Sequence, residues 1–415
     1  MAKIAVLGHG TVGSGVCEVV HENRESILRR AGQPLEVKRI LDLREFPDLP
    51  YADKFTKNYD DILNDSEISV VVEVMGGLKP AFEYSVAALQ KGKSVVTSNK
   101  ELVATKGAEL LKLAQENGCN YFFEASVGGG IPIIRPLHIC LAANQIDEIA
   151  GILNGTTNYI LTKMIKEQTP FDKALLTAQA LGYAERDPSA DVEGEDACRK
   201  ICILASLAFG RQVRPEHVRT EGITKVTLED VEYAESWGGV VKLIGRARRV
   251  EGNEKIVCMV SPAFVRSESQ LASIDDVYNG VLVRGNATGD VIFYGKGAGK
   301  LPTASAVVAD VIDAAKAETT SNSLTWAPCS ENIVIPYQEV MSDFYVRLRV
   351  PNVTAAKKAI AHLFGDVSCL SRREQPENEL AFTSGMLSEG ELENKLAALT
   401  LQDIDVLGRI HIVDY

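Results

Sequence analysis

The sequence predicts an α/β chain: a doubly wound parallel sheet at the N-terminus, a mixed α+β region after it, and a small βαββαβ segment at the C-terminus. Three observations predict this. Over the first 125 residues, short apolar runs rich in β-branched residues alternate with helical patterns, as expected for parallel strands covered on both faces. From about Glu148 the text changes to amphipathic helices, and after Lys242 it becomes strand-rich with Gly and Asn turns. After residue 340, strand and helix patterns follow in the order strand, helix, strand, strand, helix, strand. At 415 residues the chain also exceeds what one core usually organises.

In order, the first strands are KIAVL from Lys3, VKRIL from Val37, SVVVEV from Ser69, SVVT from Ser94 and YFFE from Tyr121, with Gly92 and Gly118 closing the intervening helices. Next, EIAGILNGTTNYILTKMIKE reads as a strand, a polar turn and a helix carrying Ile160, Leu161, Met164 and Ile165 on one face. Helices follow over about Phe171 to Leu181 and Glu195 to Phe209, then strands, then the helical run TASAVVADVIDAAKA. The partition expected is residues 1–135, 136–318 with the helix at 302–317 packing back on the first domain, a polar, proline-bearing linker at 319–339, and 340–415.

With 24% charged residues, 46% hydrophobic residues and a net charge of −12, the chain lacks the basic surface that nucleic acid or an anionic membrane requires. Eight cysteines without a CxxC pair, and six histidines without an HxxxH pair, give no reason to expect zinc or disulfides. MAKIAVLGHGTVG holds too short an apolar run for a signal peptide, and no run nears 18 apolar residues, so a cytoplasmic location is expected.

Gly8-His9-Gly10-Thr11-Val12-Gly13 fits the GxGxxG dinucleotide fingerprint between a strand and a helix. Gly8 makes the turn, Gly10 lets the backbone approach a pyrophosphate and Gly13 lets helix and strand pack, with the helix N-terminus holding the phosphate. At the end of the second strand Asp42 suits ribose hydroxyls and NAD, whereas Arg44 suits the 2′-phosphate of NADP. The sequence leaves both cofactors open.

The most specific text is AQALGYAERDPSADVEGEDACRK, from Ala178 to Lys200. Asp196 and Lys200, four apart on a helix, share a face. Their bland reading is a surface ion pair, but the apolar Ile201-Cys202-Ile203-Leu204-Ala205 argues that Lys200 opens from a buried helix. A positioned ammonium can neutralise the charge that develops on oxygen when hydride reaches an aldehyde. In the acidic run, Asp187, Glu193 and Glu195 read as solvated, with Asp191 the exception.

This segment, with TSNKELVA around Lys100, EASVGGGIP from Glu124, LNGTTNYIL from Leu153 and GKGAGKLPTASAV from Gly295, resembles the homoserine dehydrogenase family over about residues 3 to 320. The resemblance implies a Rossmann domain, a substrate-binding and dimerisation domain, and hydride transfer between NAD(P)H and L-aspartate 4-semialdehyde, giving L-homoserine. It implies Lys200 as proton donor and acceptor, with Glu185, Asp196 and Asp191 binding substrate. Lys100 would lie at cofactor and substrate with a second proton-transfer role, and Ser98, Gly182 and Gly297 would lie near the cofactor. It further implies a structural monovalent cation, sodium, held by Glu124 and the carbonyls of Val127, Gly129 and Ile131, although a plain turn fits that segment equally well. A homodimer or homotetramer is expected.

The C-terminal order resembles an ACT domain, a ferredoxin-like module, but Pro351-Asn352-Val353-Thr354-Ala355 replaces the glycine-bearing lead-in to its first helix. Weak or absent threonine binding is the expectation. Two other readings fit parts of the sequence: a different semialdehyde or amino-acid dehydrogenase, and a dinucleotide-binding amino-acid sensor without turnover.

Overall fold

The computed structural model describes residues 1–252, 254–316, 324–329 and 331–415. Two compact units are built from interleaved segments: residues 1–147, 202–215 and 283–331 form the first, and residues 148–201, 216–282 and 332–415 the second.

The first unit begins with β1 (Ala2–Leu7), α1 (Thr11–Glu22), α2 (Arg24–Ala31), β2 (Leu35–Leu41), β3 (Phe55–Thr56), α3 (Asp60–Leu63) and β4 (Ile68–Glu73). It continues with α4 (Ala81–Gln90), β5 (Ser94–Thr97), α5 (Lys100–Glu116) and β6 (Tyr121–Phe122). All six strands are parallel in the order β3-β2-β1-β4-β5-β6, the doubly wound arrangement in which ligands lie at the carboxyl ends of the strands. Ile4, Val6, Val70, Val72 and Val96 from the central strands pack with Val16 and Val20 of α1, which is why these runs are apolar without alternation.

In the second unit, most of β7 (Ile146–Ile152) leads to α6 (Gly155–Glu167), α7 (Phe171–Ala180), α8 (Ser189–Val192) and α9 (Glu195–Phe209), whose second half belongs to the first unit. Then come β8 (Arg219–Thr220), α10 (Leu228–Trp237), β9 (Gly239–Arg249), β10 (Ile256–Arg266) and β11 (Tyr278–Gly285). The next strand, β12 (Gly289–Lys296), and α11 (Lys300–Lys316) belong to the first unit. There Ala304, Val307, Val308 and Val311 of α11 join the core of Ile4, Val6 and Val16.

The C-terminal elements are β13 (Met341–Arg349), α12 (Val353–Phe364), β14 (Ser368–Leu370), β15 (Glu379–Thr383), β16 (Leu387–Ser388), α13 (Glu389–Thr400) and β17 (Asp405–Val413). Their strands run β17-β13-β15-β14, each pair antiparallel. Phe344, Val346, Leu348, Ile360, Phe382, Leu392 and Leu399 form their shared core.

Two features bear on the expected organisation. Residues 340–415 share a sheet with the rest of the second unit, because β17 pairs in parallel with β10. The expected linker at 319–339 is anchored at several points; residues 319–323 and 330 lie outside the described residues. Trp326 is buried, meets Phe123 edge-on at 5.5 Å and donates from Nε1 to Gln212 Oε1 at 2.8 Å. Ile333 and Val334 are also buried. A polar composition hid the large apolar area that one tryptophan can bury.

Candidate active site

The fingerprint turn lies at the carboxyl end of β1. Gly8 has φ +97°, and a Cβ on Gly13 would sit 1.9 Å from the Gly8 carbonyl oxygen, so only glycine permits this strand-to-helix packing. The N-cap of α1 is Gly10, with no side-chain cap and no acid in the first turn. That arrangement leaves first-turn N–H groups and the positive end of the helix for an anion. Thr11 is exposed and Val12 half-buried there.

Asp42 and Arg44, the two residues expected to compete for the ribose, form one ion pair. Arg44 donates from Nε to Oδ1 at 3.0 Å and from Nη2 to Oδ2 at 2.8 Å, while the His9 and Arg44 backbone N–H groups fill the remaining acceptor positions at 2.7 and 2.9 Å. The guanidinium and these N–H donors hold the Asp42 carboxyl far below the usual carboxylate range. A pocket of about 250 Å³ beside the pair is lined by Asp42, Arg44, Phe46, Pro47, Phe55 and Lys57, among others.

Further along the same sheet edge, a network that the sequence reading missed supports Lys100. Buried Glu73 at the end of β4 accepts from the Met75 N–H and from Thr97 Oγ1. Burial raises its carboxyl above the ordinary value. Asn99 caps α5 by accepting from the Leu102 N–H and donates to the Gly77 carbonyl, which sets Lys100 as the first residue of α5. Ser98 and Lys100 are both half-buried.

Glu124, the expected carboxylate ligand of a cation, is buried and held by backbone donors. Glu124 Oε1 accepts from the Ile133 and Ile134 N–H groups and Oε2 from that of Arg135, at 2.7 to 2.8 Å, which fills three of the carboxylate's acceptor positions. The backbone N–H of Glu124 donates to Asp310 Oδ2, and Arg135 pairs with Asp310 Oδ1 at 2.8 Å. Burial first, and Glu124 second, push the Asp310 carboxyl up to about 8. Asp310 was also missed, although of the two acids in ASAVVADVIDAA it is the one that shares a helix face with buried Val307 and Ala314, a signal for a buried, partnered group. Gly129 and Gly297 meet backbone to backbone: a Cβ on Gly129 would lie 2.2 Å from the Gly297 carbonyl oxygen. Among the described residues, no group of three or more His, Cys, Asp or Glu is placed to hold a metal.

In the second unit, Asp196 and Lys200 are buried, with side chains 4% and 9% exposed, and Lys200 Nζ lies 2.8 Å from Asp196 Oδ2. The surface-pair reading therefore fails. Gly194, at φ +84°, turns the chain into α9 and places Asp196 in its first turn, where the helix dipole favours an anion. Lys200 also donates to the Leu153 carbonyl at 2.7 Å. Asn154 Nδ2 donates to Asp191 Oδ1 at 2.7 Å and Asp196 Oδ2 at 2.9 Å. Burial, then the charge of Asp196, raises the Asp191 carboxyl. Asp187, Glu193 and Glu195 are exposed, and so is Glu185, unlike the buried pair. Gly182, at φ +74°, follows α7, and the next residue, Tyr183, packs edge-on against Tyr159 while its carbonyl accepts from Thr156 Oγ1.

One unit thus offers an uncapped helix end suited to an anion and, at the same sheet edge, the Asp42–Arg44 ion pair. The other offers a buried ammonium paired with a carboxylate and a second acid nearby, a set able to bind a small cationic substrate and move one proton.

Known proteins resemble this chain along most of its length. Residues 8–124 match the NAD-binding domain of homoserine dehydrogenase, and residues 132–312 match the homoserine dehydrogenase family itself. The homoserine dehydrogenase of Bacillus subtilis is 40% identical, covering 88% of this chain and 85% of its own; that of Pseudomonas aeruginosa is 38% identical, covering 96% and 95%. The crystal structure of a homoserine dehydrogenase from Thiobacillus denitrificans superposes with TM-score 0.90 at 38% identity, covering 100% of this chain and 98% of that one. A hyperthermophilic archaeal homoserine dehydrogenase in complex with NADPH aligns at TM-score 0.64 and 31% identity, covering 75% of this chain and 97% of its own. With relatives this similar along most of its length, the chain belongs to the homoserine dehydrogenase family, NAD(P)-binding oxidoreductases of amino-acid biosynthesis.

Proposed function

We propose that the buried Lys200–Asp196 pair is the proton-transfer centre for interconversion of L-aspartate 4-semialdehyde and L-homoserine. The observation that carries this is the 2.8 Å contact between two side chains almost wholly removed from solvent. The nicotinamide ring, when bound, supplies or accepts the hydride. In the reducing direction the Lys200 ammonium neutralises and protonates the oxygen that becomes the homoserine hydroxyl; in the oxidising direction the neutral amine takes that proton back. Asp196 and Asp191 receive the substrate's own ammonium. Glu185 joins them in this proposal, carried over from the family motif and drawn in from an exposed loop. Lys100, at the carboxyl edge of the first sheet, is assigned to the cofactor and substrate with a second proton-transfer role. Gly8, Gly10, Thr11, Val12, Gly13, Ser98, Gly182 and Gly297 are assigned to the cofactor.

For the cofactor, we propose that the Asp42–Arg44 pair admits both forms. Arg44, 62% exposed, can swing to a 2′-phosphate, and its departure frees Asp42 to accept from ribose hydroxyls. Initial rates with homoserine, comparing NAD with NADP, test the activity and the preference together; turnover with neither would overturn the reading.

A monovalent cation, sodium, is proposed with Glu124 and the carbonyls of Val127, Gly129 and Ile131 as its ligands. It is supported by a turn so tight that a Cβ on Gly128 would meet the Ile131 carbonyl oxygen at 2.4 Å. The C-terminal segment is proposed as an ACT-like module, supported by its strand order, with Asn352 capping α12 by accepting from the Ala355 N–H where the usual glycine is missing. Threonine at millimolar concentration should leave the rate nearly unchanged. A homodimer or homotetramer is supported by the outer face of β12, where Ile292 and Tyr294 are exposed. A cytoplasmic location is proposed from the biosynthetic role; among the described residues no helix is long and apolar enough to cross a membrane.

A further inference from the structure

We infer that Asn154 is a positioning residue for this centre: one amide fixes the two carboxylates, and through them the lysine, by occupying all of its hydrogen-bonding capacity at the junction of β7 and α6. The inference rests on the proposed role of Lys200 and Asp196.

The amide's orientation is decided by the helix. Asn154 is the N-cap of α6, in extended conformation (φ −128°, ψ 120°), and its Oδ1 accepts from the Thr157 N–H at 2.8 Å and Thr157 Oγ1 at 3.1 Å. With the oxygen committed to the helix end, both hydrogens of Nδ2 face the opposite way, and each finds a carboxylate: Asp191 at 2.7 Å and Asp196 at 2.9 Å. The residue is 5% exposed, so water gives little competition for these bonds. Asp191 comes from α8 and Asp196 from α9; a donor shared between two like charges is what holds them close without mutual displacement.

The oxygen that Asn154 holds is the one that pairs with the lysine. Asp196 Oδ2 lies 2.9 Å from Asn154 Nδ2 and 2.8 Å from Lys200 Nζ, and the same lysine donates to the carbonyl of Leu153, the residue just before Asn154. Two consecutive residues therefore touch three charged groups. Their own position is rigid: one turn on, Asn158 donates to the carbonyls of Ile274, Asp276 and Tyr278, and buried Lys242 donates to Asn158 Oδ1 and the Ile274 carbonyl. The capping function alone explains an asparagine, but Ser or Asp caps a helix as well. The two bonds to carboxylates need an amide.

The test separates cap from donor. Asn154→Ser keeps a capping oxygen and removes both N–H donors; Asn154→Asp keeps size and cap but presents an acceptor to two acids. For each, kcat and homoserine KM, dinucleotide Kd and thermal midpoint are measured, with Lys200→Ala in parallel. The expected result is kcat/KM for homoserine lowered roughly 10- to 100-fold in Asn154→Ser and further in Asn154→Asp, shared between kcat and KM, with dinucleotide Kd within about twofold. Asn154→Ser decides the matter even where Asn154→Asp does not fold. Wild-type kcat and KM in Asn154→Ser, with Lys200→Ala inactive, would overturn this inference alone. An active Lys200→Ala would overturn the reading beneath it.

Discussion

Two of the molecule's acid–base pairs that are close in sequence sit in opposite surroundings. Asp42 and Arg44, two residues apart, meet at the rim of the first sheet, where the guanidinium is 62% exposed. Asp196 and Lys200, one helical turn apart, meet in the second unit with neither side chain above 9% exposure. Charge type and contact distance are the same; solvent differs. At the rim, water and salt screen the pair and the arginine can leave at little cost, which suits a group that must read alternative ligands. In the interior, separating the charges leaves each without its counter-charge in a poor solvent, which suits a group that must stay in place while a proton moves.

Three predictions press on this contrast. The largest effect should come from Lys200→Ala, with kcat reduced roughly 10²–10⁴-fold and dinucleotide affinity nearly unchanged. A pair that served only as surface decoration would cost at most about 0.5 kcal/mol of stability and leave kcat alone. Next, the rim pair should be separable: Asp42→Ala releases Arg44 and shifts the ratio of kcat/KM toward NADP, whereas Arg44→Ala releases Asp42 and shifts it toward NAD, each by about 10-fold. Equal ratios in both variants would remove the pair from the cofactor site. The smallest effect concerns Asp310, whose carboxyl burial pushes up to about 8 from an ordinary 3.8. Between these values the folded chain holds a proton that the unfolded chain has released, so the contribution to stability is full below the lower value and is lost as pH rises through the upper one. Asp310→Asn, always neutral, should therefore show a flatter thermal midpoint between about pH 5 and 8 than the wild type, whatever its absolute stability. Parallel curves would mean that Asp310 is ionised throughout, held so by Arg135.

The parallel sheet was legible because its central strands are buried on both faces and must be written in Val and Ile without interruption. A two-residue strand such as β3 leaves no periodicity to detect. Gly8, Gly13, Asp196 and Lys200 were legible because each motif's spacing is local and its chemistry is carried by residue type. Asn154 was not, since its partners lie 37 and 42 residues onward and only folding makes the amide a bridge. The partners of Glu124 were hidden for the same reason: the three N–H groups that donate to its carboxylate come from residues 133–135, across the glycine-rich turn. The partner of Asp310, the Glu124 N–H, is 186 residues away, so local pattern can mark the acid as buried but cannot name its partner.

The central claim, that Lys200 and Asp196 act as one buried unit, is tested most directly by a double-mutant cycle on kcat/KM for homoserine. If the two share one task, Asp196→Ala should weaken both turnover and substrate binding, and the double variant should be little worse than Lys200→Ala alone. Losses that multiply in the double variant, or a Lys200→Ala enzyme with near-normal kcat, would contradict it.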